Sequence, residues 1–257
     1  MGTMSEGSFF QFLLWSWFAM AAATMITLSF FLTAPYGRFI REGWGPRIDS
    51  RVGWVAMELP AIVGFGWCYL AASRSLGDID TLFLLMWGGH YVHRALVYPF
   101  LLRGAARQLA LAPVLFGALF NAVNAYLNGR FLFHFGPAHG ISWVLDPRFV
   151  GGALLFFVGM GINQSSDRAL RNLRKPGETG YKIPRGGLFE RVSCPNYLGE
   201  SLEWLGWAIA TWSLPGVAFW FWTIANLFPR ARAYHLWYQQ QFPDYPRKRK
   251  AVVPFVF

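Results

Sequence analysis

The strongest constraint on this chain is a series of apolar stretches of roughly 20 residues, each long enough to cross the hydrocarbon core of a bilayer as a helix. They fall at 9–34, 51–74, 81–102, 109–128, 147–166, 197–213 and 215–234, the last two separated only by the turn Ser213-Leu214-Pro215. Inside lipid every backbone hydrogen bond must be made within the protein, so such stretches read as helices. Composition points the same way: 54% of the 257 residues are hydrophobic, 19% aromatic and only 14% charged. A soluble domain carries about 25% charged residues, so this chain cannot cover a soluble surface and suits a bundle that faces lipid. The expected fold is all-α, an integral membrane bundle of seven transmembrane helices forming one domain over 1–257. Met1-Gly2-Thr3 reads as an added leader with the natural start at Met4. The first stretch is too long for a signal-peptide core and lacks a basic leader, so it is expected to stay as a span.

Charge sets the orientation. Of 23 Lys and Arg, 19 fall in loops on one side: Arg38 to Arg51, Arg103 and Arg107, Arg168 to Arg191, and Arg230 to Lys250. Arg74, Arg130 and Arg148 fall on the other side, and Arg94 lies within a span. By the positive-inside rule the N-terminus is outside and the C-terminus cytoplasmic, in the inner membrane if the host is bacterial. The same bias explains the net charge of +10 without a nucleic-acid partner, whose binders concentrate charge on a soluble face. A basic cytoplasmic rim also suits an anionic cofactor. Cys68 and Cys194, in a span and an inner loop, suggest neither a disulfide framework nor a metal site and read as inert small hydrophobes.

The polar segments between spans differ in kind. The outer segment 129–146, rich in Gly, Phe and His, is expected to pack on the bundle mouth. The inner segment 167–196 mixes basic, Gly and Pro residues. The tail 235–257 runs through Asp244-Tyr245-Pro246-Arg247-Lys248-Arg249-Lys250 back to apolar residues, which predicts that it docks.

Several polar side chains fall inside the spans, where an unpaired charge is costly and usually functional. Glu58 stands directly before Leu59-Pro60 in the second stretch. The third carries His90-Tyr91-Val92-His93-Arg94, in which His90 and Arg94 share a face. Five histidines in the whole chain are too few for a membrane di-iron site, so no metal is expected. A phenol such as Tyr91, in a low-dielectric site beside a carboxylate, can donate to a substrate carbonyl. Asn163, Asp167, Arg171 and Arg174 form a helical stripe, repeated by Asn196, Glu200 and Glu203 and by Arg230, Tyr234 and Tyr238. Each stripe reads either as a salt-bridge ladder or as the wall of a polar ligand cavity, with arginines for phosphates. Gly159-Met160-Gly161 and Gly64-Phe65-Gly66 do not complete a dinucleotide fingerprint, and no phosphate loop or nucleophile elbow is present.

At these motifs the chain resembles the steroid 5α-reductase family, in the form of a bacterial homologue. The resemblance rests on Gly161-Ile162-Asn163 with Ser166-Asp167, Leu173-Arg174-Lys175-Pro176-Gly177-Glu178, Tyr181-Lys182-Ile183-Pro184, Gly186-Gly187-Leu188-Phe189 and Asn196-Tyr197-Leu198-Gly199-Glu200. Ala210-Thr211-Trp212-Ser213-Leu214-Pro215, the Asp244-Tyr245-Pro246 tail, Glu58-Leu59-Pro60 and His90 to Arg94 extend it. It is dense over 159–257 and sparse but ordered before that. It implies substrate-side helices over 4–158, and over 159–257 an NADPH-binding half made of helices, inner loops and tail. Asn163, Asp167, Arg171, Arg174, Tyr181, Asn196, Glu200, Arg230, His235, Tyr238 and Arg249 would hold NADPH. Glu58 and Tyr91 would be catalytic, holding the ketone oxygen of a 3-oxo-Δ4 steroid, with Glu58 either protonated or orienting the Tyr91 hydroxyl. A monomer would take this lipophilic substrate from the bilayer. One departure is Met57, where the family usually has Gln; a thioether offers only a weak acceptor in place of an amide. Rival readings are a reductase of another enone, sterol or enoyl-thioester lipid, an isoprenylcysteine-type methyltransferase, and a transporter or scaffold.

Overall fold

The computed structural model describes residues 4–257 except 36, 40, 103–107, 174–177 and 179. Each apolar stretch contains a helix: α1 (Glu6–Phe30), α2 (Ser50–Leu70), α3 (Asp78–Val92), the short α4 (Tyr98–Leu101), α5 (Leu111–Arg130), α6 (Pro147–Asn172), α7 (Pro195–Thr211) and α8 (Leu214–Gln241). The third stretch is divided, because a π-helical turn over His93–Val97 separates α3 from α4. Among the described residues, four helical segments are long and apolar enough to cross a membrane: Glu6–Phe30, Ser50–Leu70, Leu111–Phe135 and Pro147–Asn172. Their outer faces carry exposed Phe12, Trp15, Leu119, Leu154 and Phe157, an apolar surface that water would not tolerate. Two details depart from the sequence expectation. Arg47–Asp49 (β1) pairs antiparallel with Gln108–Ala110 (β2), tying together the residues that lead into α2 and α5. Residues 129–135, expected within a loop, continue α5 and a further π-helical turn.

Helix starts follow local chemistry. Side chains of Ser5, Asp49, Asp146 and Ser213 accept from the free backbone N–H groups of the first turns of α1, α2, α6 and α8. Pro sits in the first turn of α6, α7 and α8, where its missing N–H costs nothing.

Glycine sets how closely the helices approach. In the antiparallel pair α6 and α7, Gly152 and Gly159 face Gly206 and Gly199, and a Cβ on any of the four would overlap the opposite backbone. Such small-residue contacts let backbones touch, which is how helices associate where lipid removes the hydrophobic drive. The parallel pair α2 and α5 uses the same device differently. The side chain of Met57 fills the notch at Gly117, and Cys68 fills the one at Gly129. α1 lies along α8 through Trp17 and Trp222, 5.0 Å apart. Between these pairs sits an aromatic core of Phe65, Phe83, Trp87, Phe156, Trp204, Trp207 and Phe219, with Phe65 stacked on Trp87 at 4.5 Å.

Segment 129–146 does pack on one end of the bundle, where Trp143 donates to the Ala210 carbonyl at 3.0 Å. The tail docks too. Lys250 bridges Val192 in parallel, the Ser193 and Cys194 N–H groups donate to the Lys250 and Ala251 carbonyls, and Val252 is buried.

Gly159→Ala is expected to lower the melting temperature in detergent. The new Cβ meets the α7 backbone, and overpacking of this kind costs about 1–3 kcal/mol. Gly161→Ala, whose Cβ meets open space, is the control that should leave melting unchanged.

Candidate active site

α2, α3 and α5 bring three polar side chains together inside the apolar core. The Asn121 amide donates to the Glu58 carboxylate at 3.0 Å and to the Met57 carbonyl at 2.8 Å. Its carbonyl accepts from the Tyr91 hydroxyl at 3.2 Å. Glu58 and Tyr91 therefore communicate through Asn121. Tyr91 is enclosed by Trp87, His90 and Trp204 at 4.9–5.8 Å between ring centroids. His90 is held in turn by Glu203 of α7, Nδ1 to Oε1 2.6 Å, with both groups buried.

Arg94 lies in the π-helical turn that follows α3, a rare geometry that re-aims a side chain and often marks functional sites. Its guanidinium stands 3.5 Å from Glu58, 3.9 Å from Asp167 and 3.8 Å from Glu200, carboxylates from α2, α6 and α7. These spacings are longer than hydrogen bonds, so Arg94 acts as a shared counter-charge. Beyond it, Asn163 donates to the Asn196 carbonyl at 3.0 Å and to Glu200 at 3.3 Å, and Asn196 donates to Asp167 at 3.1 Å. Arg171 joins this edge through Tyr98, whose ring lies 5.6 Å from it and 5.2 Å from Arg94.

A second cluster gathers at the end of the bundle that holds the tail. Arg230 donates to the Tyr197 hydroxyl at 2.9 Å, to the Ala34 carbonyl at 3.2 Å and to the Tyr234 hydroxyl at 3.3 Å. Arg38 lies between Trp237 and Tyr181, 3.0 and 3.7 Å from their ring centroids. Burial among these rings lowers the Arg38 pKa, opposed by the neighbouring phenols. Tyr238 stacks on Tyr245 at 5.3 Å, and Arg249 lies over Tyr245 at 5.2 Å. Ser193 joins Tyr245 at 2.7 Å to His235 at 2.6 Å, while the other ring nitrogen of His235 meets Gln239. Burial lowers the His235 pKa, helped by the charges of Lys250 and Arg249. The Arg249 guanidinium is buried without a hydrogen bond among the described residues, and its nearest charge is Glu190 at 3.5 Å. Glu190 is exposed and bonded to the Gly186 N–H, which holds its pKa below the usual range, with Arg249 adding to the effect.

Residues 107–257 match the family model described as 3-oxo-5-alpha-steroid 4-dehydrogenase. A steroid 5-alpha-reductase of Gossypium hirsutum is 41% identical over 259 residues, covering 98% of this chain and 99% of that protein. The 3-oxo-5-alpha-steroid 4-dehydrogenase 1 of Mus musculus is 47% identical across 86% of this chain and 87% of its own length. The corresponding enzyme of Homo sapiens is 44% identical across 86% of each. The chain belongs to the 3-oxo-5-alpha-steroid 4-dehydrogenase family. Its relatives are oxidoreductases of CH–CH groups.

In this family member the residues expected from sequence fall into the two clusters. Met57, Glu58, Tyr91, Asn163, Asp167, Asn196 and Glu200 belong to the first, with Arg171 at its edge. Tyr181, Arg230, His235, Tyr238 and Arg249 belong to the second. Arg174 lies outside the described residues. Sequence reasoning passed over Asn121, Arg94 as a hub, and Arg38. Asn121 had a readable signal, since Asn121, Asn124 and Asn128 recur at helical spacing in a stretch otherwise apolar. The reach of Arg94 to three helices had none, because it depends on the π-helical turn.

Arg94→Leu is expected to destabilise the protein strongly, since breaking a buried ion cluster by removing one partner costs about 3–5 kcal/mol. Arg94→Lys should recover only part of that loss, because one ammonium cannot span three carboxylates. Melting in detergent reads both.

Proposed function

We propose that the chain is a multi-pass membrane reductase that uses NADPH to saturate the Δ4 double bond of 3-oxo-Δ4 steroids, giving 5α-3-oxosteroids. The observation that carries this reading is the buried Tyr91–Asn121–Glu58 unit, joined through Arg94 to the Asn163, Asp167, Asn196 and Glu200 set. A phenol in an apolar interior can donate to a ketone oxygen, and the polar edge beside it can take a nucleotide. The protein works as a monomer with seven spans, N-terminus outside and C-terminus cytoplasmic, and takes its lipophilic substrate from the bilayer. No nucleic acid is involved.

The second cluster, with the polar edge of the first, fits an anionic nucleotide. Arg249 is a buried guanidinium without a hydrogen bond, and Arg171 keeps one buried nitrogen unbonded, both among the described residues. A buried donor without a partner is costly, and a phosphate oxygen would satisfy it. Arg249, Arg171 and Arg230 would hold phosphates. Asn163, Asp167, Asn196 and Glu200 would meet ribose or amide groups, with Tyr181, His235 and Tyr238 completing the wall. Arg174 is proposed with them on its sequence motif alone. When bound, NADPH supplies the hydride that adds to the carbon β to the ketone.

A proton from water at the α carbon completes the saturated ketone, and the rest of the chemistry belongs to the chain. As the β carbon is reduced, negative charge builds on the ketone oxygen, where a fixed donor lowers the barrier. Tyr91 is that donor, and losing one comparable donor costs about 2.7–4 kcal/mol in other enzymes. The aromatic core of Trp87, Trp204 and Phe219 excludes water and strengthens this bond. Met57 packs against Gly117 and gives its carbonyl to Asn121, so it bears on the same site.

Purified protein in detergent is expected to bind NADPH and to convert testosterone or progesterone with NADPH into the 5α-reduced product. Binding of S-adenosylmethionine in place of NADPH would sink the reductase reading. Tyr91→Phe and Glu58→Gln should lose nearly all turnover while still binding NADPH; full activity in both would remove them from the mechanism. Met57→Gln, of similar length in the notch at Gly117, should raise turnover; an unchanged rate would make the amide dispensable.

A further inference from the structure

The three hydrogen bonds of Asn121 leave no freedom in its orientation. The Met57 backbone carbonyl, which can only accept, faces one end of the amide together with a Glu58 carboxyl oxygen, so that end must be the NH2 group. The carbonyl end then faces Tyr91, and the Tyr91 hydroxyl must be the donor. The amide is buried and bonded through both ends, on a helix fixed against α2 by the notches at Gly117 and Gly129.

We infer that Asn121 is a positioning residue for the reaction, which holds the Tyr91 oxygen in place and parks its proton until a substrate carbonyl arrives. This rests on the reductase reading and adds to it the residue through which Glu58 acts. Tyr91 has one proton and, without substrate, gives it to an amide carbonyl. A ketone oxygen is a similar acceptor, so the hydroxyl can turn from one to the other with little net change in hydrogen bonding. Nothing has to be desolvated at that moment. Glu58 fixes the amide from the other side, which gives a carboxylate that does not touch Tyr91 a means of orienting it.

The titratable groups around position 121 are Glu58 of α2 and Tyr91 of α3. Behind them stand Arg94, which faces Glu58, and Glu200 of α7, which faces Arg94. His90, paired with Glu203, lies beside Tyr91.

The test measures kcat and KM for testosterone across pH in wild type, Asn121→Asp, Asn121→Leu, Tyr91→Phe and the Asn121→Leu/Tyr91→Phe double variant. Melting and NADPH binding are followed in each. Asn121→Leu should lower kcat about 100-fold, the scale of a small misplacement of a catalytic group, with little change in NADPH affinity. In the Tyr91→Phe background the same substitution should cost almost nothing more, because it acts through the hydroxyl that has gone. Asn121→Asp should regain activity as pH falls. Once protonated, the introduced carboxyl again offers one donor to Glu58 and one acceptor to Tyr91, a recovery that a purely structural role would not give. Additive losses in the double variant, or a pH profile of Asn121→Asp parallel to wild type, would overturn the role of Asn121 alone. Should Asn121→Leu fail to fold, the pH profile of Asn121→Asp decides. Wild type that binds NADPH but reduces no enone would overturn the reductase reading, and this inference with it.

Discussion

The polar interior of this protein depends on one cation shared by three helices. Arg94 meets Glu58, Asp167 and Glu200 at 3.5–3.9 Å, so carboxylates from α2, α6 and α7 are gathered around one guanidinium. In an apolar bundle none of these charges could be kept alone, since each would cost several kcal/mol without a partner. Together they hold the helices in register, and they place Glu58, joined to Tyr91 through Asn121, in the same network as Glu200 and Asp167, which bond Asn163 and Asn196. The site and the fold are stabilised by one set of contacts.

Such a network requires helices whose backbones come close enough for short side chains to meet, and glycine provides that. Gly152, Gly159, Gly199 and Gly206 bring α6 against α7, so Asn163 can reach the Asn196 carbonyl and Glu200 within 3.3 Å. Gly117 and Gly129 of α5 instead take the side chains of Met57 and Cys68 from α2, and Asn121 reaches both Glu58 and the Met57 carbonyl. The larger aromatic residues fill the space that remains, around Trp87, Trp204 and Trp207. Small residues therefore lie where polar groups must meet, and large ones where water must be excluded.

Much of this is legible in the sequence. Apolar length located the long helices among the described residues, because in lipid the backbone has no other way to satisfy its hydrogen bonds. The stripes at 163–171 and 196–203 identified the facing polar sides of α6 and α7, since helical spacing fixes a face. The apolar ending of the tail predicted docking, which the bridge from Val192 to Lys250 displays. Three things were not legible. The π-helical turn at His93–Val97 changes where Arg94 points, and periodicity assumes a regular helix. The pairing of β1 with β2 joins two loops of ordinary composition far apart in sequence. Asn121 was visible as one of three asparagines in an apolar stretch, but its partners belong to other helices, and spacing within one helix says nothing about those.

The joint between the two clusters is the first turn of α7. Asn196 faces Asp167 and Asn163, while its neighbour Tyr197 takes the hydrogen bond from Arg230. Two consecutive residues thus serve different clusters, which is possible because neighbours on a helix point about a quarter turn apart. Their position is set just before the helix begins. Pro195 starts the first turn, and the Cys194 N–H beside it is fixed by the Ala251 carbonyl of the docked tail. The same tail carries Tyr245 and Arg249 into the second cluster. Docking the tail therefore does two things through one short backbone bridge: it completes the arginine-rich cluster and fixes the turn that connects it to the Tyr91 site. This accounts for a strongly basic segment that ends in apolar residues: Val252 anchors it and Arg249 is the group delivered.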